Sequence, residues 1–257
     1  MDRSLACIVL GILIALPASS ANSLSRKERK EGFQLLFDGD TLQHWHSVKQ
    51  RPTAGTWTVN DGVLTWKTGG MWLSTNDIYY DFVLRLEYRT GADSNSGIFL
   101  RSLEEGNPAF NGMELQILSD HGKPAGVHST GSLYGASAPP ANMALPDGKW
   151  NKVEISVIGR RLRAIWNGHP VQDVDLDDPS FAKAQEKPLA DRSPYGHVGL
   201  QAYTSGAPVE FRSIRIRVLK WGPGFPNKPM PDDPEFTSPA NDRKRLEKPP
   251  QTEYQKK

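Results

Sequence analysis

The sequence predicts an all-β protein whose strands form a single sandwich. From residue 32 to residue 219, short runs of alternating apolar and polar residues are separated by turn residues, a pattern typical of antiparallel strands. Asp61-Gly62 and Asn167-Gly168 stand between such runs, as in tight hairpin turns. No stretch of a dozen residues keeps the 3.6-residue apolar period of a helix. One sandwich accommodates a chain of this length.

The first 21 residues have the pattern of a secretory signal. Arg3 precedes an apolar run over residues 5–16, and small residues end the segment at Ala21, as at a cleavage site. The apolar run is too short to span a bilayer comfortably, although a retained N-terminal anchor is the alternative interpretation. We therefore expect a secreted or periplasmic protein with no membrane span after signal removal.

Composition argues against a protein stabilised by disulfides and against one that binds nucleic acid or an anionic membrane by its charge. The single cysteine, Cys7, lies in the predicted signal, so the mature chain gains its stability from core burial and not from disulfides. The 31 basic and 29 acidic residues give a net charge of +2. Such a balance predicts no electrostatic attraction to nucleic acid or to an anionic membrane.

The chain divides into four predicted parts. The signal (1–21) is followed by a charged linker (22–31), one β domain (32–221) and a tail (222–257) that is rich in proline and charge. Inside the domain, residues 121–149 contain several prolines and glycines, which exclude a regular strand. Loops of this length in compact domains are usually functional or disordered.

Two strand-like runs within residues 95–120 carry a polar face. Strand side chains alternate between the two faces of a sheet, so Arg101, Glu114 and Gln116 are expected on one outer face, beside Phe99. The alternative is that these side chains are only the solvated positions of an antiparallel sheet.

Further motifs identify a family. They are LFDGDTLQHW (36–45), WTVNDGVL (57–64), YYDFVLRLEYR (79–89), NSGIFLR (95–101), MELQILSD (113–120), TGSLYG (130–135), WNKVEI (150–155), WNGHPV (166–171) and GLQAYTSGAPVEFRSIRI (199–216). In this order they resemble the bacterial 3-keto-disaccharide hydrolase domain family. The resemblance implies a concanavalin A-like jelly roll of two curved antiparallel sheets with a glycan site on the concave face. It also implies an oligosaccharide or glycoside substrate that a separate sugar 3-dehydrogenase, as pathway partner, has oxidised at C3.

Cleavage of such a substrate requires a base for the C2 hydrogen, a group that stabilises the enolate and a donor for the leaving oxygen. Glu114 is the candidate base, because partial desolvation would raise its pKa. Arg101 could hold the enolate oxygen or pair with Glu114, which would lower that pKa instead. His128 is an alternative base or the acid for the leaving group.

Five residues are candidate contacts for the sugar. Asn95, Gln116, Tyr134 and Lys152 could bond sugar hydroxyls, and Trp72 could stack on a pyranose face. Each also has a purely structural interpretation, such as shaping a strand entry or packing at the edge of the core.

The sequence identifies no cofactor and leaves open a divalent metal, either calcium or a transition metal. His44 and His46 flank Trp45 at a spacing that could ligate a transition metal. Asp93 and Asp120 could donate oxygens to a structural calcium ion.

Two rival functions stay open. An ordinary glycosidase needs two carboxylates about 5 to 9.5 Å apart, whereas Glu114 and Asp120 would lie about 20 Å apart on an extended strand; Glu87 on another strand could still contribute. A non-catalytic glycan-binding module is the second rival. It is permitted by Ala202 and Tyr203, which stand where relatives often carry an acidic residue and a histidine.

Overall fold

A computed structural model describes residues 21–48, 57–66, 72–182, 187–203 and 205–221. All but the last residue of the predicted signal, and the whole predicted tail, lie outside the described residues. The strands are β1 (Gln34–Leu35), β2 (Trp45–Ser47), β3 (Trp57–Asn60), β4 (Val63–Trp66), β5 (Leu73–Thr75), β6 (Tyr79–Arg89), β7 (Asn95–Ser102), β8 (Met113–Leu118), β9 (Asn151–Ile158), β10 (Arg161–Trp166), β11 (His169–Asp175), β12 (His197–Leu200) and β13 (Glu210–Trp221). Two short helices, α1 (Arg26–Lys30) and α2 (Pro108–Asn111), and two 3₁₀ turns, Pro179–Phe181 and Leu189–Asp191, accompany them.

The strands form two antiparallel sheets, which confirms the predicted sandwich. The larger sheet has eight strands in the order β11-β10-β9-β6-β13-β4-β3, with β1 paired to β13. The smaller sheet has five, in the order β2-β5-β12-β7-β8. Strands that are distant in sequence, such as β7 and β12, are therefore neighbours.

The core lies between the two sheets, because each strand turns its apolar side inward. In β9, Val153, Ile155 and Val157 are at most 4% exposed, and in β7 Ile98 and Leu100 are fully buried. These residues belong to one continuous apolar cluster. Alternate residues on the same strands consequently face outward.

The hairpin turns have the backbone that their sequences predict. Asp61 and Gly62 have φ of 50° and 75°, and Asn167 and Gly168 have φ of 52° and 86°. Two successive positive φ values define the turn type that matches strand twist, which aspartate, asparagine and glycine tolerate best.

The segment predicted as a solvated linker packs on β13 instead. Asn22 is 3% exposed, and its Oδ1 accepts a hydrogen bond from the Ser213 amide at 2.8 Å. Helix α1 is closed by a capping box between Ser25 and Glu28, and the Glu28 carboxylate binds the Arg215 guanidinium at 2.9 Å. Specific partners on the sheet thus hold a run whose composition alone suggests a solvated segment.

Among the helices of the described ranges, none combines the length and apolar character required to cross a bilayer.

Candidate active site

A patch of buried polar side chains lies on the outer face of the five-stranded sheet. Met113 and Leu115 of β8 point into the core, so Glu114 and Gln116 point away from it. Both are nonetheless shielded from solvent, at 3% and 5% exposure. Their shared face confirms the alternation predicted for this strand.

Glu114 is the most perturbed carboxylate of the patch. Burial raises its pKa from an ordinary 4.5 to about 8, because the charged form loses hydration that no counter-charge replaces. Its Oε1 is shielded from solvent and has no hydrogen-bond partner within the described part of the chain. A carboxylate in this environment is a stronger base than an exposed one.

Gly97 makes room for that carboxylate. Gly97 of β7 is paired with Gln116, and a Cβ built on it would lie only 2.0 Å from Glu114 Oε1. The Glu114 side chain therefore lies over the backbone of β7, where any larger residue would displace it.

The long loop covers the free edge of β8. The Gln116 amide donates to the Ser132 carbonyl at 3.1 Å, and the Tyr134 amide donates to the Glu114 carbonyl at 2.9 Å. Since Leu133 belongs to the core, Ser132 and Tyr134 turn to the outer face beside Glu114. The loop therefore adds side chains to the patch.

Tyr134 and His128 lie together at this edge. Their rings are 4.9 Å apart and meet edge to face, and the His128 side chain is exposed. Burial raises the pKa of the Tyr134 phenol, and the nearby Glu114 and Tyr203 raise it further. The phenol consequently remains protonated and able to donate a hydrogen bond.

Asn95 and Gln201 complete the patch. Gln116 Nε2 donates to Asn95 Oδ1 at 3.4 Å, so these two predicted side chains lie next to each other. Gln201 was not anticipated from the sequence. It follows β12, its amide donates to the Gly97 carbonyl at 2.9 Å, and its Oε1 is buried without a hydrogen-bond partner among the described residues. Its position one residue past Leu200, which is buried in the core, was the available signal.

Arg101 does not lie on this face, and its predicted placement is wrong. The chain takes three residue steps on β7, from Phe99 to Ser102, where the paired β12 takes only two, from Gly199 to His197. Arg101 at this bulge has a φ of 51°. The bulge breaks the alternation of side chains. The guanidinium is fully buried and lies against the other sheet.

Every nitrogen of the Arg101 guanidinium donates there. Nη2 binds Asp81 Oδ1 at 3.0 Å, Nε binds the Tyr80 carbonyl at 2.6 Å and Nη1 binds the Gly159 carbonyl at 2.8 Å. Arg101 therefore joins the two sheets and neither pairs with Glu114 nor faces its patch.

Two further candidates are placed elsewhere. Lys152 of β9 is exposed on the outer face of the eight-stranded sheet, since Val153 is its core-facing neighbour, so the structure does not bring it to the Glu114 patch. Trp72 does share the face of Glu114, but its ring is 7% exposed and packs edge to face on Phe99 at 5.2 Å. Its surface is used for packing in this conformation.

The metal candidates are bound to protein groups. His46 Nδ1 donates to Asn76 Oδ1 at 3.0 Å and its Nε2 contacts Glu104. Both Asp120 oxygens accept hydrogen bonds from Thr130. The part of the chain that is described contains no cluster of three or more histidine, cysteine, aspartate or glutamate side chains arranged to hold a metal ion.

Comparisons with known proteins agree with this architecture. The 3-keto-alpha-glucoside-1,2-lyase-like domain model matches residues 32–217. The 3-keto-disaccharide hydrolase of Bacteroides thetaiotaomicron is 26% identical over 247 residues, covering 80% of this chain and 84% of that protein. Two solved structures from Parabacteroides distasonis, each named as a candidate glycosyl hydrolase, have TM-scores of 0.66 and 0.61 at 22% and 26% identity. They cover 77% and 72% of this chain, which covers 98% of each of them.

Proposed function

Because this chain belongs to the 3-keto-alpha-glucoside-1,2-lyase-like domain family, we propose that it cleaves 3-keto-glycosides by elimination followed by hydration, with Glu114 as the base. The observation that carries the proposal is the buried Glu114 carboxylate, whose pKa is raised to about 8 and whose Oε1 has no partner among the described residues. The name of the Bacteroides relative, a 3-keto-disaccharide hydrolase, supports the substrate class.

The proposed chemistry begins with a single base. A ketone at C3 acidifies the hydrogen on C2, so Glu114 takes that proton and the C–H electron pair becomes part of an enolate. The enolate expels the C1 oxygen with its electron pair, and the leaving oxygen takes a proton from a neutral donor of the protein. Water then gives its hydroxide to C1, and Glu114 delivers to C2 a proton that has exchanged with solvent, which restores the carboxylate. The proton that the water releases replaces the one that the donor gave to the leaving oxygen.

Tyr134 is the proposed donor. Its protonated phenol lies next to Glu114, and a hydrogen bond from a neutral donor stabilises an oxygen on which charge develops. Tyr134 can therefore hold the enolate oxygen or protonate the leaving oxygen. His128, whose ring packs against that of Tyr134, is proposed to orient the phenol and to exchange protons with solvent.

The proposal also covers the source of the substrate and the location of the protein. The keto substrate arises by oxidation of a sugar at C3, so a sugar dehydrogenase that acts at C3 is the expected pathway partner. The N-terminal pattern of residues 1–21 supports export to the periplasm or beyond.

The test compares a 3-keto-glucoside with the matching unoxidised glucoside, in buffered D₂O, with and without chelator. We expect cleavage of the keto compound alone, with deuterium appearing at C2 of the product. Glu114→Gln should slow both the cleavage and the exchange by about two to four orders of magnitude.

Other outcomes identify the rivals. Cleavage of the unoxidised glucoside would make the protein an ordinary glycosidase. Binding of both sugars without turnover of either would indicate a glycan-binding module. Activity that the chelator removes would show that the described side chains are insufficient without a metal ion.

A further inference from the structure

Four buried oxygen atoms without partners lie on one face of the sandwich. They belong to Ser132, Glu114, Gln116 and Gln201, and each lacks a hydrogen-bond partner within the described ranges. Such orphaned buried acceptors are uncommon in folded proteins, because each forfeits its bond to water. Four of them in a single patch indicate a place where a ligand supplies the missing hydrogens.

The strand pairing places these oxygens side by side. Ser132 follows the edge of β8, Gln116 lies on β8, and Gln201 is bonded to the backbone of Gly97 on the far side of β7. Gln116 and Gln201 are thus separated by one intervening strand, or roughly 10 Å between Cα atoms. Gly97 has no side chain to fill the gap, and the Glu114 carboxylate occupies it.

The chemistry of the patch selects donors. The amide oxygens of Gln116 and Gln201 accept hydrogen bonds and do not donate them, and the same holds for the Glu114 carboxylate when it is ionised, whereas the Ser132 hydroxyl can do either. Neighbouring sugar hydroxyls are donors at a spacing of a few ångströms, and no basic side chain is present among these four residues to attract an anion. A polyhydroxylated ring fits this set better than a phosphate or a carboxylate ligand does.

We propose that Gln116 and Gln201 are specificity-determining residues whose amide oxygens each accept a hydrogen bond from one of the two hydroxyls flanking the C3 ketone. This inference rests on the proposed function, in which Glu114 faces C2 of a 3-keto-pyranose. The C2 and C4 hydroxyls then lie on either side of the ketone, as the two glutamines lie on either side of the carboxylate. The site therefore selects sugars whose hydroxyls at C2 and C4 are both free.

The experiment measures binding so that the ligand is not consumed. In the Glu114→Gln protein, calorimetry gives the Kd of methyl 3-keto-α-glucoside and of its 2-deoxy and 4-deoxy forms. Gln116→Met and Gln201→Met are then added one at a time. We expect each methionine to weaken binding of the full sugar roughly 5- to 100-fold, the cost of one buried hydrogen bond. Each substitution should leave the Kd of one deoxy sugar unchanged, namely the sugar that lacks the hydroxyl bound by the replaced glutamine. That sugar should be the 2-deoxy form for one of the two variants and the 4-deoxy form for the other.

Stability separates this role from a structural one. Replacing an unpartnered buried amide oxygen by an apolar atom is neutral or stabilising, so Tm should stay level or rise in Gln201→Met. Gln116→Met also loses the long hydrogen bond from Nε2 to Asn95 Oδ1, so a small decrease in Tm is expected for that variant alone. Gln34→Met, at an exposed position on β1, is the matched control and should change neither Kd nor Tm.

Several results would overturn the inference. Unchanged affinity in both methionine variants would remove the glutamines from the site, and equal losses with all three sugars would show general damage. Saturable binding of Ca²⁺ or Mg²⁺ that Gln201→Met removes would assign the oxygens to a cation. Because binding is measured directly, an enzyme that fails to turn over 3-keto-glycosides would refute the proposed function while leaving this inference open to its own result.

Discussion

At the scale of the residue, Glu114 acquires its chemistry from its neighbours. The same carboxylate on an exposed strand would be hydrated and weakly basic. Here β7 contributes a glycine below it and the long loop contributes Tyr134 beside it. Burial without a cationic partner raises its pKa, in keeping with a base that works near neutrality.

The pH profile tests the protonation state of Glu114. The unprotonated carboxylate is the active form, so kcat/KM on a 3-keto-glucoside should increase with pH up to about 8 and level off above it. The rising limb of this pH profile reports the pKa of the essential base in the free enzyme. Glu114→Gln should lower kcat/KM by about two to four orders of magnitude, and Glu105→Gln, at an exposed position, should keep the wild-type profile. A limb near pH 4.5 would mean that Glu114 is solvated or paired when it acts.

At the scale of the element, one extra residue in β7 determines which way the side chain of Arg101 points near the end of that strand. The bulge turns Arg101 out of the outer face and toward β6 and the β9–β10 turn, where Asp81 and two carbonyls receive it. Desolvation there lowers the pKa of Arg101 to about 10, although the Asp81 charge opposes the shift. The group remains cationic at neutral pH and joins the two sheets.

Removing the Arg101 guanidinium should lower the free energy of unfolding and have little effect on kcat. Arg101→Met leaves Asp81 without its cation in a largely buried setting, so we expect a loss of about 3–5 kcal/mol in the free energy of unfolding, measured by denaturant titration. The kcat of the folded fraction should stay within a few-fold of wild type. Arg161→Met, which breaks the exposed pair with Asp173, should cost about 1 kcal/mol or less. A large loss of kcat at unchanged stability would return Arg101 to the catalytic site.

At the scale of the whole molecule, the two sheets have different outer faces. The eight-stranded sheet exposes ladders of ion pairs, such as Arg85 with Glu154 and Arg212 with Glu87, which keep that face hydrated. The five-stranded sheet buries an acid that has no counter-charge. Burial of the ionised Glu114 carboxylate therefore lowers the stability of the folded state.

This effect makes global stability depend on pH. The folded-state pKa of Glu114 lies above its unfolded value, so the native state binds the proton more tightly. Wild-type stability should consequently fall as pH rises from about 4.5 to about 8. Glu114→Gln removes this effect, and its gain in unfolding free energy over wild type should grow by roughly 5 kcal/mol across the window.

Denaturant titrations at pH 4, 6 and 8.5 measure that gain, with Glu105→Gln as the control that should show no trend. A constant difference between Glu114→Gln and wild type at all three pH values would contradict the raised pKa.

The sequence by itself determined the β class, the hairpin turns, the family and the outward direction of Glu114 and Gln116, because alternation and turn chemistry are local. Only the tertiary structure decided that Arg101 leaves this face, that Lys152 belongs to the other sheet and that Gln201 joins the site. A bulge arises where one of two paired strands has an extra residue over the same stretch of register. The two strands concerned, β7 and β12, are about a hundred residues apart in the chain. Register between such distant strands is set by packing, which no local pattern encodes.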